Sequence, residues 1–577
     1  LEHKMQSQTS IKLIKEIATC EHVPALLKGE DTHDPALKFV ANLSKYTKDP
    51  DLVVSIVAAC LPPDYGGDTL REVPGMLEWA LEHSDAPKQK RKTQFDLLIE
   101  FFTANNINLI KNQDDKGCLQ VPILDGGHDV FVINSKRGKL FVRRVLYEQF
   151  KSSPRSNDLS DLVNTLDSIA IFEGEHHEFK LRVAWEGEDV VVDIGDEKRS
   201  IIICTKDGWT VGYSSQVMFL RREGYRALPT PTKGGNLEGL RNLLGIREDH
   251  VWHCFLAFIL NVFRPDGPYF SLMIDGEQGS GKSFLSTVIK RITDPNQVEK
   301  LRFPRSDRDL MIQASKFFLI IFDNASGVKQ ALSNTLCSIA TGGGFATRML
   351  HTDDDLMIFN VCRPFIINGI GGFAYNPDLL ERGIHMSLSA MDPDKRKTEK
   401  ELNAALEAML PGVLGVFMDA VVMALKNHST TATPKGIRMS DAAKWVAAAE
   451  PAFGLVEGTF VNAMRQSQNE TMGRVAIDSA LGQGIIKLLK KSDGQFSGGH
   501  AELLQALIDV GANESRDPFF PTSSSRLSSE LSKLSPALKK AGIVVEKLPR
   551  QNTGSRIQIR FDGTVDYHED DAPNREF

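Results

Sequence analysis

Residues 276–283 read Gly-Glu-Gln-Gly-Ser-Gly-Lys-Ser. An apolar run, Phe270 to Ile274, precedes them. An amphipathic run follows, with Phe284, Leu285, Val288, Ile289 and Ile292 on one side, and ends at Pro295. Gly276-x-x-x-x-Gly281-Lys282-Ser283 between a strand and a helix is the pattern of a phosphate-binding loop. It restricts the fold more than any other feature, because the strand that feeds such a loop belongs to a parallel α/β sheet. The residue types answer to the chemistry. Glycines let backbone N–H groups curl around phosphate oxygens, and the helix N-terminus adds favourable partial charge. Lys282 reaches β- and γ-phosphates, and Ser283 helps to hold Mg²⁺. The nucleotide-contacting segment is therefore expected to run through Gly276, Glu277, Gln278, Gly279, Ser280, Gly281, Lys282, Ser283 and Phe284, with ATP and Mg²⁺ as cofactors.

Further candidates follow within about a hundred residues. Phe317 to Phe322 is a fully apolar strand ending in Asp323, an acid placed to bind Mg²⁺ through water, or an ordinary strand-ending Asp. Asn324 stands where many such ATPases carry a water-polarising Glu. Either another acid serves, Glu277 being the nearest in sequence, or Asn324 positions the water. Pro364 to Ile367 reads as a third strand ending in Asn368-Gly369, where the Asn is a γ-phosphate sensor or a turn residue. Arg382, in Asp378-Leu-Leu-Glu-Arg382, is either a finger for a neighbouring subunit's phosphate or a surface ion pair. Between them, 342–361 suggests a β-hairpin after a tri-glycine hinge. Arg348 and His351 there could touch a nucleic-acid backbone in a pore, or the hairpin could simply face solvent.

These strings, GEQGSGKS, TGGGFATR and DLLER, with SGV after FDN, resemble AAA+ ATPases of the superfamily III helicase type. More narrowly they resemble the ATP-binding, primase-helicase-like replication proteins of phages and integrated mobile elements. The resemblance covers about 240–400. Residues 33–90 are similar to a primase C-terminal (PriCT-like) helical domain. The resemblance implies a ring, usually a hexamer, moving along single-stranded or forked DNA, with a primase or another replication protein as candidate partner. It implies that Lys282, Asp323, Asn324, Asn368 and Arg382 form the catalytic set.

At 577 residues the length predicts three to five domains. The division expected is a flexible N-terminus at 1–32, a helical domain at 33–90, an α+β N-terminal tier at 91–235, an AAA+ core at 236–400, a helical bundle or lid at 401–471, a winged-helix-like domain at 472–563 and an acidic tail at 564–577. The opening Leu1-Glu2-His3-Lys4 is left out of the fold reading. The Pro/Thr/Gly-rich stretch 228–235 reads as a linker. The apolar stretches 251–263 and 413–425 are shorter than a bilayer span, so no membrane association is expected. Seven cysteines without C-x-x-C pairing read as reduced, mostly buried thiols of a cytoplasmic protein.

The formal net charge is −7, which argues against a protein coated for nucleic acid. The average conceals segregation. Residues 522–561 hold eight Lys/Arg against two Glu, a net of +6, whereas 562–577 hold six acids and one Arg. Two helices near 476–490 and 500–510, a third over 523–541 and a hairpin at 543–547 and 556–561 suggest a winged helix. Lys539, Lys540, Arg550 and Arg556 are its candidate phosphate contacts, against the alternative of a solvated or protein-docking surface. The expected function is an ATP-dependent, ring-forming DNA helicase or translocase for replication of a phage or mobile element. The alternatives are an ATP-switched initiator or loader without unwinding activity, and a nucleic-acid-sensing defence ATPase.

Overall fold

The computed structural model describes residues 13, 15–84, 92–123, 127–213, 216–325, 328–348, 356–369, 377–389, 397–512, 520–551 and 554–562. Its contacts divide the chain into two units, 1–101 and 102–577.

The first unit is helical. Helices α1 (His33–Leu43), α2 (Pro50–Ala59) and α3 (Thr69–Ser84) enclose a core of Leu26, Ala36, Phe39, Val40, Leu43, Val53, Val57, Val73 and Leu77. Asp49 starts α2 by accepting the N–H groups of Asp51 and Leu52, and Pro50 at the first helical position needs no such partner. Helix α4 (Gln94–Ala104) runs across the division between the units.

The second unit opens with β1 (Asn108–Asn112), β2 (Gly117–Pro122), β3 (His128–Val132), α5 (Lys136–Phe150), α6 (Ser156–Glu173) and β4 (Glu175–His177), whose strands form a sheet ordered β3-β2-β1-β4. Next come β5 (Phe179–Lys180) and a meander, β6 (Val183–Glu186), β7 (Asp189–Asp193), β8 (Ile201–Cys204) and β9 (Trp209–Gly212), with β10 (Met218–Phe219) returning to pair with β5.

One core runs across the stretch 228–235. Val190, Val192, Ile202, Cys204 and Trp209 of the meander share it with α8 (Asp249–Val262) and with residues as far on as Met464. The stretch lies against the long helix α13 (Glu399–Asn427). Thr232 donates its N–H to the Pro411 carbonyl. A Cβ on Gly412 would meet Gly235 Cα at 3.2 Å, and one on Gly415 would meet the Thr232 carbonyl oxygen at 1.9 Å. Glycine at 415 is thus a condition of the packing. Composition showed turn residues here, but the close backbone contact is tertiary. Helix α7 (Glu238–Leu244) follows the stretch.

Helix α13 is long and apolar enough to cross a membrane by length and composition alone, although the apolar run inside it reads as too short. Leu406, Leu410, Val413, Leu414, Phe417, Met418 and Val421 are buried in the main core, which accounts for that composition. Six of the seven cysteines are buried and Cys362 is half-buried; all seven are free thiols.

The centre is a five-stranded, wholly parallel sheet built from β11 (Ser271–Gly276), β12 (Leu301–Arg302), β13 (Ile320–Ala325), β16 (Phe365–Gly369) and β17 (Gly383–Leu388). Its spatial order is β12-β13-β16-β11-β17. Helices α9 (Lys282–Thr293), α10 (Asp307–Lys316) and α11 (Gln330–Thr341) connect the strands, with the hairpin β14 (Gly344–Arg348) and β15 (Leu356–Asn360) and the single turn α12 (Pro377–Leu380). Phe365, Ile366 and Ile367 are fully buried, as a strand covered on both faces requires.

Helices α14 (Ser440–Ala448) and α15 (Thr459–Asp478) lead into a smaller assembly of α16 (Ala480–Lys491), β18 (Gln495–Gly499), α17 (His500–Asp509), α18 (Ser524–Lys540), β19 (Ile543–Gln551) and β20 (Gly554–Phe561). Its sheet is antiparallel in the order β18-β20-β19, and it has its own core of Ile485, Leu489, Leu503, Leu507, Leu527, Leu531, Leu538, Ile543 and Ile559. Strand β18 lies outside the sequence reading, because Gln495-Phe-Ser-Gly-Gly499 has one apolar residue and no alternation. The acidic tail 564–577 lies outside the described residues.

Candidate nucleotide-binding site

The site is assembled by strand order. All five strands run the same way, so their C-terminal ends share one edge. Strand β16 lies between β11 and β13, although β11 and β13 precede it in the chain. Register aligns Ile274 with Asn368 and Phe322 with Ile367, which sets Asn368 between the glycine loop and Asp323. This crevice at the carboxyl ends of parallel strands is where such sheets bind ligands.

The loop takes conformations that side chains resist. Gly279 and Gly281 have φ of 79° and 86°, and a Cβ on Gly276 would meet the Leu388 carbonyl oxygen at 2.5 Å. Ser280 is buried, while Glu277, Gln278 and Gly279 are exposed. The Lys282 ammonium donates to the carbonyls of Gly276 and Glu277, both at 2.7 Å, and to Ser280 Oγ at 3.4 Å. Burial pulls the Lys282 pKa down; Asp275 and Asp323 oppose that pull. Phe284 packs on the main core and anchors the first turn of α9.

Ser283 Oγ lies 3.1 Å from both Asp323 carboxylate oxygens. Asn368, only 1% exposed, is held at both ends of its amide. Its Oδ1 accepts from Ser286 Oγ at 2.9 Å, and its Nδ2 donates to Asp323 Oδ1 at 3.2 Å. That pairing fixes which end of the amide faces the carboxylate. Strand β13 bulges between Phe322 and Ala325, and Asn324 there is exposed with φ 57°, a left-handed conformation that Asn tolerates.

Lys282, Ser283, Asp323 and Asn368 are thus brought together, and Arg382 is not. Arg382 precedes Gly383, which pairs with Ser271 at the opposite edge, whereas Gly276 pairs with Leu388. Five residue steps at about 3.3 Å separate these ends by roughly 17 Å. The Arg382 guanidinium pairs with Asp378 at 3.1 Å and donates to the Cys337 carbonyl at 3.4 Å. Arg438 also pairs with Asp378, and with Glu381 at 2.9 Å.

The nucleic-acid candidates lie elsewhere. Arg348 ends β14, but its side chain, the hairpin tip and His351 lie outside the described residues. Lys539 is exposed on α18 and Arg556 is half-buried on β20. Lys540 ends α18 and Arg550 lies on β19, and their side chains lie outside the described residues.

Several residues escaped the sequence reading. Ser286 carries a detectable signal, lying one helical turn after Ser283. Lys300, whose Nζ lies 3.8 Å from Asp323, arrives through the β12–β13 pairing. Arg474, from the distant helix α15, lies 3.6 Å from Asp275 and donates to Ser387 Oγ at the loop's flank. No local pattern marks either of them.

The donor set fits Mg²⁺, a hard cation that takes one or two protein oxygens alongside phosphate and water. Ser283 and Asp323 converge as such a pair. Among the described residues there is no cluster of three or more His, Cys, Asp or Glu side chains that could hold a metal by itself.

Residues 239–471 match the family model described as actinomycete integrative conjugative element replication protein, and residues 481–569 match that of the AICE RepA C-terminal domain; together they span more than half of the chain. No curated protein matches. Among solved structures, the chain is similar to an apo form of the NrS-1 C-terminal region, at 12% identity, with 81% of this chain and 100% of that chain covered and a TM-score of 0.35. It is also similar to Cch of SCCmec type IV, described as an active helicase, at 12% identity, with coverage of 79% and 93% and a TM-score of 0.42.

Proposed function

We propose that this chain, whose residues 239–471 and 481–569 match models of replication proteins of actinomycete integrative conjugative elements, is an ATP-driven DNA translocase acting as a ring helicase. The observation that carries this reading is the convergence of Lys282, Ser283, Asp323 and Asn368 on one edge of the parallel sheet. The matching models are of replication proteins, which favours replication over the defence reading.

On this reading the central sheet, in its order β17-β11-β16-β13-β12, is an AAA+ core. The loop 276–283 cradles the triphosphate, and Lys282 exchanges two loop carbonyls for phosphate oxygens. Bound Mg²⁺ supplies charge neutralisation between the phosphates. Ser283 and Asp323 hold it, and Asn368, locked by Ser286, presents its amide toward the γ-phosphate or the attacking water. Arg382 cannot reach its own site and serves a neighbour's, while Arg438 keeps Asp378 neutralised when Arg382 turns away. The hairpin 344–360 moves with hydrolysis. The assembly 480–561 is a winged helix that holds DNA through Lys539, Lys540, Arg550 and Arg556. The domain divisions at 33–90, 91–235, 236–400, 401–471 and 472–563 belong to the same proposal.

The test is displacement of a labelled strand from a forked duplex. ATP-dependent displacement is expected. Hydrolysis of ATP with no displacement at any protein concentration would instead favour the second reading, an ATP-switched initiator or loader. That reading rests on Asn324, which leaves no carboxylate beside Asp323 to polarise water. Arg382→Ala is expected to preserve ATP binding and lower hydrolysis on the order of 10³-fold in the assembled ring. Mixing Arg382→Ala with Lys282→Ala protein should restore part of the hydrolysis, because the second variant offers its finger to the intact loop of the first; no restoration would exclude action in trans.

A further inference from the structure

Residues 136–155 contain seven Lys/Arg and one acid, Glu148, a net of +6 in a chain whose total is −7. This equals the charge of the C-terminal basic segment, yet it sits more than 350 residues before it, on helix α5 (Lys136–Phe150) and the residues that follow. The charges share one side. Lys136, Leu140, Arg143, Tyr147 and Lys151 follow helical spacing, and all five are exposed, with Arg137 and Arg144 beside them. The opposite side is anchored: Gly138, Val142, Val145 and Leu146 are buried, and a Cβ on Gly138 would meet the Ile133 carbonyl oxygen at 2.1 Å. The basic face therefore points outward and cannot roll.

Helix stability does not explain this pattern. Lys136 and Arg137 occupy the first turn, where positive charge opposes the helix dipole. Lys136 and Lys139, and Lys139 and Arg143, are like-charge neighbours at spacings that destabilise. Relief is partial. Arg137 pairs with Asp129 and Arg144 with Glu148, whereas Lys136, Lys139, Arg143, Lys151 and Arg155 make no ion pair among the described residues. Tyr147, 61% exposed, stands in the middle of the basic face, and the Lys151 ammonium lies 5.5 Å from its ring centre. Unpaired cations flanking an exposed aromatic ring form a surface for phosphates with a base stacked between them.

We infer that the exposed face of α5 is a binding site for single-stranded DNA, separate from the hairpin and from the C-terminal basic segment. The inference rests on the reading of the chain as a DNA-acting motor and assigns that motor a second strand contact. The ring of Tyr147 favours a single strand over a duplex, whose bases are already stacked on one another.

The experiment uses full-length protein, a labelled oligothymidine and a duplex of equal length, with affinities measured over a range of salt. For Lys139→Gln/Arg143→Gln/Lys151→Gln we expect weaker oligothymidine binding and a salt slope shallower by about 2, from roughly 0.7 per lost phosphate contact. For Tyr147→Ala we expect about tenfold weaker oligothymidine binding, no change in slope and no change for the duplex. The unfolding midpoint serves as the fold control for both. Wild-type affinity and slope in the triple variant would overturn the site. Equal losses for both DNAs with Tyr147→Ala silent would overturn the single-strand assignment. If unaltered protein bound neither DNA, the motor reading would fail together with this inference. If it bound and unwound DNA while both variants behaved as wild type, the inference alone would fail.

Discussion

Lys282→Ala is expected to abolish ATP hydrolysis, with a fall of at least about 10²-fold, the scale of losing one charge-stabilising donor in such a site. Lys282 is the cation of the loop itself, and in the structure its ammonium is held by the Gly276 and Glu277 carbonyls at 2.7 Å. Those bonds keep the side chain folded over the loop, where the Asp275 and Asp323 carboxylates act on its charge. Alanine removes both the charge and the tether. Turnover measured beside direct nucleotide binding separates loss of affinity from loss of rate. Retention of the wild-type rate would overturn the site assignment.

Asp294→Ala is expected to destabilise the second unit by about 3–5 kcal/mol, the range for breaking a buried ion pair from one side. Asp294 ends the helix that Lys282 begins. One carboxylate oxygen accepts from Arg182 at 3.1 Å. The other accepts from Lys290 at 2.8 Å and from the Leu319 N–H at 3.1 Å. Burial by itself would raise the Asp294 pKa, but the two cations outweigh it and hold the carboxyl below its usual value. Arg182, with no exposed surface, also donates to the carbonyls of Asp193, Ile194, Arg226 and Pro295, and stacks 3.6 Å above Tyr225. Alanine at 294 leaves two cations buried without their anion. Denaturant unfolding measures the effect, and a loss below about 1 kcal/mol would show that the network contributes little. Leu319 leads into β13, so the same network fixes the helix after the glycine loop against the strand that carries Asp323.

Legibility from sequence followed locality. The glycine loop was readable because eight contiguous residues, a strand before them and a helix after them specify its backbone. Asp323 and Asn368 were readable as polar residues ending apolar runs. Lys300 and Arg474 were not, since their positions depend on strand pairing and helix docking across the chain. Helical spacing over 136–150 is local, but which side of α5 stays exposed depends on the packing of Gly138, Val142, Val145 and Leu146. Residues 228–235 looked like a linker because turn residues carry no record of the helix they lie against.

The sequence by itself determined the glycine loop, the apolar strands, the helical spacing of the basic face and the order of the chemical groups along the chain. These depend on backbone dihedrals and side-chain periodicity over a few residues. Only the tertiary structure decided that Asp323, Asn368 and Ser283 meet, that Arg382 lies at the far edge, and that Arg182 and Lys290 share one buried carboxylate. Strand order and register control those distances, and both are set by packing between segments tens to hundreds of residues apart, which no local pattern records.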